Sequence, residues 1–331
     1  MVVAGLNGFG RFGLGLFQAW YQDKNSPYDI SFIHDPILGP NEVLSILKND
    51  PIVRSFSDQG VFLENDDLIL PNAANGSKRI RCSTGMLEAA EWLGEPEILF
   101  ECSGRRENHQ YLNNAVQGKT FAALVGATIE NADTELIFGL NHRSYQADIH
   151  KVISFGSCTV IPGTHVVSAM KEKFGVKSCL VNILHSVPRW QLEEGRWNSL
   201  QRKECSLEAV GSRILNFEEE ELKVNYTYAP YWGVSLMDFC VETTAQISRS
   251  DVVAFLKEKA LCEEWRGIVG IVGEDIGGQA FQHSKESINL VIDEVDVRGS
   301  RAYFFGYFNN EGSGIRLHDL CCFLVEKNSD S

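Results

Sequence analysis

The run Gly8-Phe9-Gly10-Arg11-Phe12-Gly13, arriving directly after the apolar residues 2–6, constrains this chain more than any other feature. Residues 2–6 have the apolar character of a buried strand, and residues 14–21 are compatible with a helix. A second strand, residues 30–33, leads to Asp35, 22 positions after Gly13. Strand, glycine turn, helix and strand in this order form a unit whose chemistry is definite. The glycines let the backbone approach a pyrophosphate, and the helix N-terminus offers free N–H groups and a partial positive charge. An acid at the end of the second strand accepts the hydroxyls of an adenine ribose and repels a 2′-phosphate, so the spacing favours NAD over NADP.

Two further apolar strands end in small residues. One is 98–101, followed by Cys102-Ser103-Gly104. The other is 121–125, followed by Gly126-Ala127-Thr128. Ligands of open α/β sheets lie beyond the carboxyl ends of the strands, which makes Ser103, Gly104 and Thr128 candidates for lining a cofactor groove. Cys158 comes after the strand-like residues 153–155 and ahead of helix-compatible residues 164–174. A thiol at a helix start has a lowered pKa and lies beside N–H donors for an oxyanion. A strand-like run, 180–184, then ends in His185. Cysteine and histidine at neighbouring strand ends make a workable nucleophile and base, while a lone cysteine is also a common buried apolar residue. Residues 222–248 and 286–309 are rich in Val, Ile, Tyr and Phe. With an amphipathic helix at 251–265 between them, they predict a mostly antiparallel α+β domain. Residues 315–325 read as a last helix.

Composition narrows the function classes. The 331 residues carry a formal net charge of −14, which argues against a nucleic-acid or anionic-membrane binder. Hydrophobic residues at 44% and charged residues at 22% are those of an ordinary globular protein, and the length suggests two domains. No apolar run approaches the length of a membrane helix, and the N-terminus lacks the basic flank of a signal peptide. Nine cysteines without a CxxC pair suggest reduced thiols and a cytoplasmic location. Eight dispersed histidines form no HxxxH or HExxH pair, so no metal is expected.

Taken together, the segments resemble the glyceraldehyde-3-phosphate dehydrogenase family from end to end. Residues 5–13 are similar to its opening GxNGFGRxG, and His34-Asp35-Pro36 to its Asn-Asp-Pro. Glu101-Cys102-Ser103-Gly104 stands where the family has Glu-Ser-Thr-Gly, and Gly139-Leu140-Asn141-His142 where it has Gly-Val-Asn-His. Residues 154–159 resemble Ser-Asn-Ala-Ser-Cys-Thr, which carries the nucleophile, and His185 falls at the separation of the catalytic histidine. Asn310-Glu311-Gly312 lies where the family has Asn-Glu-Trp-Gly.

The resemblance implies a dinucleotide-binding (Rossmann) domain over 1–157, to which a C-terminal helix, 315–331, returns. It implies a catalytic domain with a mostly antiparallel sheet over 158–314. It further implies that Asn7, Gly8, Phe9, Gly10, Arg11, Phe12, Asp35, Ser103, Gly104, Thr128 and Asn310 bind NAD, Asn310 at the nicotinamide carboxamide. The implied reaction is oxidation of a small-molecule aldehyde through a thiohemiacetal and a thioacyl group on Cys158, with His185 as base. The implied assembly is a homo-oligomer, dimer or tetramer, with no nucleic-acid or membrane partner.

The departures fall in the substrate site. The family holds the substrate phosphate with two threonines after the histidine and an arginine from a later strand. Here Pro188 and Trp190 occupy the threonine positions and Tyr228 the arginine position. Ser157 and Thr159 keep half of a second anion site, while Glu204-Cys205-Ser206 stands near the other half after a shortened loop. Arg189 and Arg196 are candidates for a replacement anion site. The expected activity is therefore NAD-dependent oxidation of an aldehyde other than the standard phosphorylated one. The alternative is a catalytically impaired NAD-binding regulatory or scaffold homologue.

Overall fold

The computed structural model describes residues 1–50, 53, 56, 58–73, 76–187, 192–195, 197–218 and 220–329, with backbone alone at 72, 73, 106 and 311. The chain divides into two compact units, residues 1–155 with 313–331, and residues 156–312. Each cut falls two residues before the expected one. The reason at the first is that Phe155 still belongs to the sheet of the first unit. Its N–H donates to Val125 O at 3.2 Å, and its ring packs edge-on against Phe12 at 5.2 Å.

The first unit contains β1 (Val2–Asn7), α1 (Arg11–Gln22), β2 (Tyr28–Asp35), α2 (Pro40–Asn49), β3 (Phe62–Glu64), β4 (Asp67–Ala73), β5 (Gly76–Thr84), β6 (Ile98–Glu101), α3 (Arg106–Ala115), β7 (Ala122–Val125), β8 (Thr134–Glu135) and β9 (Val152–Ser154). They form one sheet in the order β3-β4-β5-β2-β1-β6-β7-β9-β8. The pairings from β5 to β8 are parallel, and β3 and β4 add antiparallel strands at one edge. Every residue of β6 and β7 is buried, which explains their continuous apolar sequence: parallel strands covered on both faces need no alternation. β1 pairs with β2 on one side and β6 on the other, so the strand order reverses at β1, and the carboxyl ends of β1 and β6 flank a crevice.

The second unit contains α4 (Val160–Phe174), β10 (Val176–Ser186), β11 (Gln201–Lys203), α5 (Ser206–Leu215), β12 (Leu222–Ala229), β13 (Ser235–Thr243), α6 (Arg249–Lys259), β14 (Val269–Val272), β15 (Ile288–Val291), β16 (Asp296–Arg298) and β17 (Arg301–Phe308). Its sheet runs β11-β12-β10-β13-β17-β15-β14, with β16 on β17. Among the described residues only the β10/β12 and β14/β15 pairings are parallel, so the sheet is mostly antiparallel as expected.

Several elements begin elsewhere than the sequence suggests. α4 starts at Val160, not 164, because Pro162 lies in its first turn, where the missing N–H has no helical partner to lose. α6 covers Arg249–Lys259, fixed by a capping box between Ser248 and Asp251, and residues 263–265 are a separate 3₁₀ turn. The last helix, α7 (Glu311–Ser329), starts four residues before the expected 315, and the Asn309 side chain accepts from Gly312 N at 2.6 Å. Among the described residues no helix is long and apolar enough to cross a membrane.

Candidate active site

The turn between β1 and α1 is built from glycine for steric reasons. Gly8 has φ +94°, a region L side chains rarely enter, and a Cβ on Gly13 would stand 2.0 Å from Gly8 O. Gly10, the residue before α1, has open space where a Cβ would be. Being glycine, it brings no side chain to cap the first turn. Two buried polar atoms near the strand ends, Asn7 Oδ1 and Thr128 Oγ1, have no hydrogen-bond partner among the described residues. A helix N-terminus approached through glycine, and two buried polar atoms unpaired among the described residues, fit a dinucleotide.

The surrounding side chains hold this turn in place. Asn7 donates to Glu101, which is buried and also bonded by Ser103 and Asn108. Burial pushes the Glu101 carboxyl up, while those hydrogen bonds pull it back. Ser103 is therefore tied to Glu101, and Gly104, at φ +68°, is the open residue of that loop. Arg11 forms an ion pair with Asp50, and Phe12 packs on Phe155 and under Gly126.

Asp35 departs from the simple expectation of an acid open to both ribose hydroxyls. It is buried, its Oδ2 accepts from Phe9 N at 2.7 Å, and its Oδ1 accepts from Ile37 N and Leu38 N at 2.9 and 2.8 Å. A carboxylate has about four lone-pair sites, so the vacant one is on Oδ2. Asp35 thus shapes the glycine turn directly and can accept one further hydrogen bond. His34 beside it bonds Ser83 Oγ at 2.8 Å and Gly85 O at 2.9 Å. Burial lowers its pKa and keeps it neutral.

In the second unit, the structure brings Cys158 and His185 together: Cys158 Sγ lies 3.5 Å from His185 Nε2. Cys158 stands two residues ahead of α4, and His185 is the penultimate residue of β10. His185 Nδ1 is 2.7 Å from Ser186 O. A carbonyl only accepts, so Nδ1 carries the proton and Nε2 is the basic nitrogen facing the thiol. His185 is 6% exposed, and three rings surround it: Tyr226 at 5.4 Å, Tyr228 at 5.5 Å and Phe308 at 5.7 Å.

Tyr228 is the direct register partner of His185 across the parallel β10/β12 pair, and Tyr226 is two residues away on the same face. Burial, then the neighbouring Cys158 and Tyr228, pushes the Tyr226 hydroxyl well above its ordinary pKa, so it remains a neutral O–H donor. Sequence alone does not single out Tyr226 or Phe308. The signal for Tyr226 was the two-residue spacing to Tyr228. Nothing local marked Phe308, which β17 delivers.

The Ser157 side chain lies 3.1 Å from Thr159 Oγ1 and 2.9 Å from Ser206 Oγ, and Thr159 Oγ1 is 3.4 Å from Cys205 Sγ. The hydroxyl pair thus meets residues 205 and 206, and burial raises the Cys205 thiol pKa. Glu204, which would oppose an anion, is exposed. Asn310 is half-buried just before α7; its neighbour Asn309 is buried and bonds Phe281 O and Gly312 N. The Asn141-His142 match is a structural feature: Asn141 bridges Ile137 N and Glu135 O, and His142 accepts from Gly139 N. Pro188, Arg189, Trp190 and Arg196 lie outside the described residues.

No family model matches the chain. Among curated proteins it is 24% identical to glyceraldehyde-3-phosphate dehydrogenase 1 of Bacillus cereus, over 99% of this chain and 99% of that protein. It is 24% identical to glyceraldehyde-3-phosphate dehydrogenase 1 of Bacillus subtilis, with 98% and 99% covered. It is 21% identical to glyceraldehyde-3-phosphate dehydrogenase of Haloarcula vallismortis, over 98% of each. Similarity at this level over both full lengths, on a parallel Rossmann-like sheet followed by a mostly antiparallel one, is consistent with a divergent member of the glyceraldehyde-3-phosphate dehydrogenase family.

Proposed function

We propose that this protein is an NAD-dependent aldehyde dehydrogenase that works through a thioacyl group on Cys158. The observation that carries the reading is the Cys158–His185 contact of 3.5 Å, with the histidine tautomer set by Ser186 O. Nε2 takes the thiol proton, and the thiolate Sγ adds to the aldehyde carbon. Protonated Nε2, with the backbone N–H of Cys158, meets the oxygen that gains charge. Nε2 gives its proton to that oxygen to complete the thiohemiacetal and takes it back as the C–H hydride leaves the former aldehyde carbon, so the acyl group is left on Sγ. NAD, held by the glycine turn and Asp35, supplies the hydride acceptor.

The substrate is an aldehyde without the usual terminal phosphate, or one that carries a different anion. Tyr228 stands beside His185 where the family has arginine, and Tyr226 and Phe308 complete an aromatic wall. A phosphate needs charge-assisted donors. Losing each costs about 1.5–3 kcal/mol, and about 1.4 kcal/mol is a factor of ten in rate. At the β11 edge, Lys203 is in register with Tyr226 and exposed, which supplies one cation for a smaller anion.

The protein acts as a homo-oligomer in the cytoplasm; nine free cysteines suit a reducing compartment. The test is kcat/KM for glyceraldehyde 3-phosphate against non-phosphorylated and carboxylated aldehydes, with NAD, with and without phosphate. Poor use of the phosphorylated sugar and better use of another aldehyde are expected. An efficient value of about 10⁴–10⁸ M⁻¹s⁻¹ for the phosphorylated sugar would overturn the substrate reading.

A further inference from the structure

His318 and Cys322 stand four residues apart on α7 and share one helix face, a ligand spacing that a search for HxxxH passes over. Asp23, at the end of α1, meets them: its Oδ2 is 3.1 Å from His318 Nε2, and Cys322 Sγ is 3.7 Å from the same nitrogen. One ligand atom from each residue lies within 4.8 Å of the other two. The other ring nitrogen, His318 Nδ1, lies 2.7 Å from the Tyr28 hydroxyl, on a tyrosine that is fully buried, and 3.9 Å from Cys322 Sγ. All four residues belong to the first unit.

We propose that Asp23, His318 and Cys322 form a binding site for a divalent transition metal, best matched by zinc, that staples α7 to the end of α1. A borderline-soft ion is bound by imidazole nitrogen, thiolate and carboxylate in tetrahedral geometry. With bonds of about 2.0–2.3 Å, neighbouring ligand atoms of such a site lie about 3.2–3.7 Å apart, close to the two spacings observed. The fourth position belongs to water, because the Asp23 side chain is 34% exposed while that of His318 is 7% exposed. Tyr28 plays the orienting part that metal-bound histidines commonly require at their second nitrogen. On binding, Nε2 exchanges its hydrogen bond with Asp23 for the metal. The ring proton then resides on Nδ1 and is accepted by the Tyr28 oxygen, and the Cys322 thiol loses its proton to solvent.

The test is cobalt(II) and zinc binding to the full-length protein, read as bound metal per chain after dialysis and as the near-ultraviolet absorption of a thiolate–cobalt bond. The native chain and Cys158→Ser should each retain one ion and show the absorption, which separates this site from the thiol proposed for catalysis. Cys322→Ser, a near-isosteric change checked by circular dichroism, should lose the absorption, and Tyr28→Phe should weaken binding about 10–100-fold. A native chain that holds no metal after dialysis, or a folded Cys322→Ser that keeps the absorption, would overturn the proposal.

Discussion

A single carbonyl decides what His185 can do. Because Ser186 O must receive Nδ1–H, Nε2 faces Cys158 as an acceptor, and the buried ring has Tyr226, Tyr228 and Phe308 to restrict its tilt. Cys158 should therefore be labelled by iodoacetamide ahead of the other eight cysteines. His185→Asn should slow that labelling by about 10²–10⁴-fold, the usual contribution of a positioned base. Faster labelling of another cysteine, located by peptide mass, would contradict this. At Asp35, the proposed preference for NAD rests on the one site left on Oδ2 among the described residues. Asp35→Ala should weaken NAD by about tenfold or more, the worth of a charged hydrogen bond. It should weaken NADP less, since it also removes repulsion of the 2′-phosphate. Equal affinity of the native protein for both cofactors, by fluorescence titration, would refute the role.

At the scale of elements, the β1–α1–β2 unit was legible because its cause is local. Gly8 needs a positive φ and Gly13 leaves no room for a side chain, so the glycines had to appear at that spacing. Gly13→Ala should cost about 1–3 kcal/mol or more through overpacking. It should also abolish NAD binding at temperatures where the protein stays folded, measured by calorimetry; unchanged NAD affinity would show that the turn is not the cradle. The aromatic wall was only half legible. Tyr228 could be read from an alignment of motifs, whereas Tyr226 and Phe308 reach His185 through strand register and through β17, far away in sequence. α4 was read four residues late because proline is permitted in a first turn, and α6 too long because its end has no strong sequence stop. The HxxxC pair on α7 carried no visible partner until Asp23 was brought beside it.

For the whole molecule, the two-unit order followed from where strand character changes, from apolar runs without alternation to long alternating strands. The first unit should be acid-sensitive. His34 and His142 both have pKa values lowered by burial from an ordinary 6.5. Below about 6.5 the unfolded chain binds more protons than the folded one, so their contribution is complete above that pH and lost as pH falls. The thermal midpoint should be flat between about pH 7 and 8 and decline toward about pH 5, and His34→Gln should reduce the slope. A midpoint independent of pH over that range would contradict it.

The central claim is that this molecule oxidises aldehydes covalently on Cys158. Its most direct test is the mass of the Cys158 peptide after the protein is mixed with an aldehyde and acid-quenched, with and without NAD. An acyl adduct should appear on Cys158 only with NAD present, alongside one equivalent of reduced cofactor per chain, and both should vanish in Cys158→Ala. Reduced cofactor formed undiminished by Cys158→Ala, or an unmodified Cys158 with every aldehyde although NAD binds, would contradict the account.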